Sequence, residues 1–184
     1  MKRIFGLLFC LMVMNFLGSG CGTAYKVVMD ERNVKTQAHD EKIEMAIRKK
    51  IAESERVKFI DISTYCFNGD VYLIGEYDVS SQKNDAVKLA KEVEGVRSVT
   101  EYFLQKKVGD HCGTTDNLEL VAKVKARLIK DKDIWSTNVK VESVQCNIVL
   151  LGLVGSKNEI NKAIAHARSI PGVRSVKSFL RATK

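Results

Sequence analysis

The chain lacks the residue clusters that usually carry chemistry. Its three histidines, His39, His111 and His166, are far apart in the sequence. His111 beside Cys112 is the one His/Cys neighbour pair, and two adjacent residues do not make a metal site. There is no HExxH and no glycine loop of the kind that cradles phosphate. Cys112 as a nucleophile would need a placed base, which sequence adjacency to His111 does not supply. We therefore expect no catalytic residues, no metal and no cofactor, and a chain that is not an enzyme. Long apolar runs are also missing. The longest, Ile4 to Leu17, has 14 residues, short of the roughly 17–25 that a spanning helix needs. There is a single tryptophan, Trp135.

What is present is a near-gapless internal repeat. Residues 40–107 and 117–184 superimpose at a constant offset of 77. Ile43, Ile47 and Ile51 fall on Leu120, Val124 and Leu128, and Val71-Tyr72-Leu73-Ile74-Gly75 falls on Ile148-Val149-Leu150-Leu151-Gly152. Gly95-Val96-Arg97-Ser98-Val99 recurs unchanged as Gly172 to Val176. A fixed offset through helical and extended patterns implies one small fold duplicated. Differences between the copies are then the place to look for specialisation.

Ahead of the repeat, Lys2 and Arg3, the apolar run and the small residues Gly18-Ser19-Gly20 form a secretory signal over residues 1–20. An uncut membrane anchor is the competing reading. The segment ends in Cys21 and resembles a bacterial lipobox, although Gly18 stands where that motif usually has Leu. The resemblance implies lipidation at Cys21, an arm over residues 21–39 and, with Gly22 after the cysteine, an outer-membrane destination. Acyl chains anchor with about 0.8 kcal/mol per buried methylene. Loss of Lys2 and Arg3 with the leader lowers the formal charge of +8 by two. The remaining basic excess favours anionic partners. In an extracytoplasmic compartment these are phospholipid head groups, not nucleic acid.

Besides Cys21, the part beyond the leader holds Cys66, Cys112 and Cys146. Three is odd, so at most one internal disulfide can form. None of the three recurs at its repeat-equivalent position, so the spacing selects no pair, and three free thiols fit equally well.

Each copy opens with an amphipathic helix whose apolar positions recur at i, i+4 and i+8, with Asp40 and Asn117 just ahead as expected N-caps. Two strands follow. Asn68-Gly69 between them is a hairpin signal, because both residues accept positive φ, whereas Gln145-Cys146 is a weaker turn and predicts a differently shaped loop. Gly75 and Gly152 interrupt the second strand, where a close approach by another element is the expected reason. A second helix is expected over Ser81–Glu94 and Asn158–Ile170, with Ala86, Ala90, Ala163 and Ala167 inward. Gly95 and Gly172 suit its left-handed terminus. The predicted class is α+β, two tandem αββαβ units, each a three-stranded mixed sheet with both helices on one face.

With these elements in order, the units resemble BON domains, through Val71, Leu73, Gly75 and Gly95-Val96 in residues 40–107 and their counterparts in residues 117–184. Residues 108–116 are the linker. The whole is similar to the dual-BON outer-membrane lipoprotein family of the DolP type, which Asp30-Glu31-Arg32-Asn33-Val34-Lys35-Thr36-Gln37 and Asn138-Val139-Lys140-Val141 also resemble. The resemblance implies binding of anionic phospholipid through the first helix of the second domain, on the periplasmic side of the outer membrane, in support of membrane integrity. Carried onto this chain, that surface comprises Lys123, Arg127, Ile129 and Lys130, with Trp135 as interfacial anchor. Glu119 departs from the aromatic that such proteins place there. From the residues alone, Lys123 to Lys132 reads either as a basic membrane-surface helix or as a solvated face, and Trp135 either as anchor or as a cap on the core edge. The alternative function is a periplasm-facing, chaperone-like module acting on envelope proteins through sheet faces or edges.

Overall fold

A computed structural model describes residues 34–57 and 62–183 of the chain. The expected leader, the lipid acceptor Cys21 and the arm as far as residue 33 lie outside the described residues, as do Phe59 and Ile60. The first unit runs α1 (Val34–Ala52), β1 (Ile62–Phe67), β2 (Asp70–Tyr77), α2 (Ser80–Lys91) and β3 (Ser98–Gln105). The second runs α3 (Thr114–Lys130), a 3-10 turn (Ser136–Asn138), β4 (Lys140–Val144), β5 (Asn147–Val154), α4 (Lys157–Arg168) and β6 (Ser175–Ala182). In each sheet the middle strand pairs antiparallel with the strand before it and parallel with the strand after the helix. Both units are therefore the αββαβ fold with a three-stranded mixed sheet.

The apolar run in each middle strand serves two cores, because side chains alternate between the faces of a strand. Val71 and Leu73 point toward the helices and join Ile43, Ile47, Ile51, Ala86 and Ala90. Ile148 and Leu150 do the same with Leu120, Val124, Leu128, Ala163 and Ala167. Alanines at the inner face of α2 and α4 let each helix lie close on its sheet, and all four are fully buried. Tyr72 and Ile74 point the other way, where they meet Val149, Leu151 and Leu153 of the second unit. The two sheets thus pack face to face, with the helices outside. Tyr72 packs against Phe179 across this interface, ring centroids 5.5 Å apart and the rings tilted by 49°. Arg181 of β6 donates to the Asp70 carboxylate at 2.7 Å and to the Phe67 carbonyl, and Gln145 donates to Glu76 and to the Gln105 carbonyl.

Two expectations need correction. Asp40 and Asn117 do not cap helices: α1 and α3 start further upstream, and both residues stand inside them. Each instead reaches across to its hairpin. The Asp40 carboxylate, fully buried, accepts from the amides of Asn68 and Gly69 and from the Cys66 thiol. Asn117 accepts from the Cys146 amide and the Ser143 hydroxyl. A two-residue turn tucked under a helix leaves its amides without ladder partners, and buried amides require one. Burial, followed by the neighbouring Asp40 carboxylate, pushes the Cys66 thiol up, away from thiolate.

The second hairpin is also not differently shaped. Gln145 and Cys146 adopt φ of 48° and 57°, matching 55° and 80° at Asn68 and Gly69. Both loops have two residues at positive φ, the pattern of a type I′ turn. What holds the unfavoured residues there is a Cys112–Cys146 disulfide, in which the buried Cys66 takes no part. Gly152 meets its expected close approach. At φ 138° its Cα lies so near the 3-10 turn that a Cβ would stand 1.9 Å from the Asn138 carbonyl oxygen.

Candidate functional site

Helix α3 buries Leu120, Val124 and Leu128 and turns the rest of its surface outward. At about 100° per residue, Lys123, Arg127 and Lys130 share one flank, with Glu119 among them. Ile129 lies on the other flank, in line with Leu118, Ala122 and Lys125. The fold therefore gathers three of the expected binding residues and sets the fourth across the helix from them. Ile129 and Leu118 are 69% and 66% exposed, large for side chains with no core role. A groove of about 360 Å³ runs beside Ile129, lined by Lys125, Leu128, Ser136, Thr137 and Val139.

Trp135 opens the 3-10 turn just beyond α3 and is 49% exposed, half in solvent and half against the protein. Its position is set by Glu159, a residue with no signal in the sequence. The buried Glu159 carboxylate accepts from the Trp135 amide at 2.8 Å and from the Gly155 amide at 3.0 Å. The partners are 24 residues apart, beyond any local pattern. The chain between α3 and Trp135 is pinned as well. Asp131 bonds His166 at 2.8 Å, Lys162 pairs with Asp133, and the His166 hydrogen bond holds Asp131 below the usual carboxylate range. Arg127, Lys130 and Lys132 stand around this clamp with His166.

The balance of charge separates α3 from its counterpart. On α1, Arg48 pairs with Glu44, Lys49 with Glu53 and Lys50 with Glu92, so all three cations of that cluster have a carboxylate. On α3, Glu119 neutralises Lys123 at 2.6 Å. Among the described residues no carboxylate pairs with Lys125, Arg127, Lys130 or Lys132. Of the residues expected at this surface, Lys123 is thus the one already compensated. Lys125, part of the basic run read from the sequence, and Leu118, which sequence reasoning passed over, belong with the set on exposure.

Among the described residues no group of three or more His, Cys, Asp or Glu is placed to hold a metal ion. No described helix is long and apolar enough to cross a membrane.

Comparison with known proteins is consistent in family. The chain is 33% identical over 159 residues to the outer membrane lipoprotein DolP of Haemophilus influenzae, covering 85% of this chain and 81% of the relative. It is 31% identical over 144 residues to the osmotically-inducible protein Y of Escherichia coli K12, covering 77% and 72%. A 21 kDa hemolysin of Actinobacillus pleuropneumoniae is 27% identical over 152 residues, covering 80% and 76%. Among solved structures, the C-terminal domain of CdsD, a structural protein of the type III secretion system of Chlamydia trachomatis, aligns over 79% of this chain and 67% of its own. The TM-score is 0.33 at 15% identity, too slight to bear on either fold or function. The BON domain model matches residues 39–106 and again residues 116–184. Two matches that together take in most of the sequence, on two copies of one αββαβ unit, make this chain a member of the BON-domain family.

Proposed function

We propose that this is a lipid-anchored envelope protein that binds anionic phospholipid through α3 of its second BON domain and thereby supports outer-membrane integrity. The observation that carries the reading is the contrast between the two first helices. Arg48, Lys49 and Lys50 of α1 each pair with a carboxylate. Lys125, beside exposed Ile129 on one flank of α3, and Arg127 and Lys130 on the other flank pair with none among the described residues, and half-exposed Trp135 stands just beyond the helix. A surface that joins uncompensated cations to exposed apolar side chains suits the interface of an anionic bilayer. Near such a surface each basic residue contributes on the order of 1 kcal/mol. The leader and Cys21 supply the anchor in this reading. The relative named an outer membrane lipoprotein supports the location.

The test is co-sedimentation of residues 28–184, which contain both cores, with vesicles of anionic and of neutral phospholipid. Binding should favour anionic vesicles and fall as salt rises. Charge reversal at Lys123, Arg127 and Lys130 should abolish it, and reversal at Arg48, Lys49 and Lys50 should not. Equal, weak binding to both kinds of vesicle would remove the proposal. The alternative, capture of envelope proteins on sheet faces or edges, loses the inner faces, which cover each other, and keeps the edge strands of the two three-stranded sheets.

A further inference from the structure

The repeat makes the second unit a reference for the first, and one cleft differs sharply between them. In the second unit, the space between the start of α3, the hairpin turn and the Gly172 corner is closed twice over. Cys112 and Cys146 bridge it covalently. Across its mouth Arg174 holds Asp110 by two hydrogen bonds, Nη1 at 2.8 Å and Nη2 at 2.6 Å. The guanidinium keeps the Asp110 carboxyl well below the usual carboxylate range.

Among the described residues, the corresponding cleft of the first unit is open. At the offset of 77, Cys112 becomes Lys35, Cys146 becomes Gly69, Asp116 becomes His39 and Asp110 becomes Asn33. A cavity of about 390 Å³ remains, lined by Lys35, Thr36, His39, Asn68, Gly95 and Arg97, together with Asp40 and Gly69. Arg97 is the counterpart of Arg174 and takes the same pose. Its Nη1 donates to the Asn68 carbonyl at 3.3 Å, as that of Arg174 donates to the Gln145 carbonyl at 3.2 Å. Among the described residues, no carboxylate takes the place of Asp110. Asp40 faces inward, bonded to the turn amides. Asp70, close enough to Arg97 to feel its charge, is engaged by Ser98 and Arg181, each at 2.7 Å. Among the described residues, no carboxylate forms an ion pair with Lys35 or Arg97.

We infer that this cleft of the first domain is a binding site for the carboxylate of an acidic segment of another protein, seated on Arg97 as Asp110 is seated on Arg174. The guanidinium fork matches a carboxylate in two parallel bonds. Lys35 stands where Cys112 does in the other copy and His39 where Asp116 does, which adds a cation and removes an acid at the wall, while Asp40, the counterpart of Asn117, is bonded inward. Gly69 and Gly95 keep the floor clear: a Cβ on Gly95 would stand 2.8 Å from His39 Cε1, and one on Gly69 2.8 Å from the Gly95 carbonyl. The site lies on the first domain and does not depend on α3, so lipid binding can fail or succeed without touching it.

The ligand in the reference copy supplies the probe: a capped peptide of residues 109–113 with Cys112→Ser, titrated into the isotope-labelled full chain in neutral detergent. Amide resonances of Gly69 and Gly95 and the Arg97 side chain should shift saturably, and those of Cys146 and Gly172 should not. The same peptide with Asp110→Asn should bind at least roughly tenfold more weakly, as should the variants Arg97→Gln and Lys35→Gln. Lys35 is exposed on the first turn of α1, so its variant remains informative if Arg97→Gln disturbs folding. No shift up to about 10 mM peptide, or an equal response to the two peptides, would overturn the inference. So would tighter binding of inorganic phosphate at the same amides, which would make the cleft a phosphate or head-group site instead.

Discussion

Tyr65 of the first unit donates its hydroxyl hydrogen to the carboxylate of Glu142 in the second, and the two are repeat equivalents, 77 positions apart. A residue can touch its own equivalent only where an axis relating the copies passes between them. The hairpin contacts agree: Gln145 reaches the ends of β2 and β3, while Asp70 and Phe67 are reached by Arg181 at the end of β6. The duplicated units therefore pack as an approximate twofold pair within one chain, and the shared position has diverged into a donor and an acceptor. Burial, with Glu142 adding to it, pushes the Tyr65 hydroxyl above its ordinary range, so it remains a donor.

Tyr65→Phe should cost about 1–3 kcal/mol, because it leaves a partly buried carboxylate without its donor. Glu142→Leu in the Tyr65→Phe background should recover part of the loss. Urea unfolding of the four proteins in a double-mutant cycle measures the coupling. A cycle that closes to zero would mean that the bond contributes nothing to docking.

Trp135 is the only tryptophan, so its fluorescence reports the proposed membrane surface without a label. Anionic vesicles should shift its emission to the blue and shield it from iodide. Ile129→Ser should weaken vesicle binding about three- to tenfold through lost apolar burial. Glu159→Gln should loosen the Trp135 backbone and broaden the response, with the core of the second unit retained. An emission spectrum unchanged by saturating vesicles would place Trp135 outside the contact.

The second hairpin depends on its disulfide in a way the first cannot. Replacing Cys112 and Cys146 by serine should cost about 3–4 kcal/mol for a loop of this span, read as a lowered urea midpoint. With Cys112→Ser, Cys146→Gly should be more stable than Cys146→Ser by roughly 1 kcal/mol, since glycine accepts the positive φ without steric cost.

Acid should loosen the links made by Asp70 and Asp110. For Asp70 partial burial works against the shift, but hydrogen bonds from Ser98 and Arg181 outweigh it and hold the carboxyl below its ordinary value. Asp110 is held down by Arg174. A carboxylate with a lowered folded pKa stabilises fully above the unfolded value, near 3.9, and loses that contribution as pH falls through the folded one. Stability should therefore drop below about pH 4, and less steeply in Asp70→Asn and Asp110→Asn. Unfolding midpoints measured from pH 6 to 2 check the sign; identical profiles would remove both groups from the linkage.

The duplicated αββαβ order was legible in the residues, because each element rests on a local signal. Apolar spacing of four marks the first helices, alternation marks the strands, and glycine ends the second helices. The basic character of α3 could also be read, and so could the duplication that made Arg97 and Arg174 comparable. Asp40 and Asn117 misled because a polar residue ahead of an apolar stripe looks the same whether it caps its own helix or reaches a turn about 28 residues away. Gln145-Cys146 misled because the partner that holds the turn, Cys112, is 34 residues distant.

By itself the sequence determined the fold of each unit, through short-range periodicity and backbone preference. Tertiary structure alone decided how the units face each other, that Lys50 meets Glu92 and which cleft stays open. Those depend on pairings between segments far apart in the chain. Lys50 looks like Lys130 until packing brings it Glu92, 42 residues away, and brings Lys130 no carboxylate among the described residues.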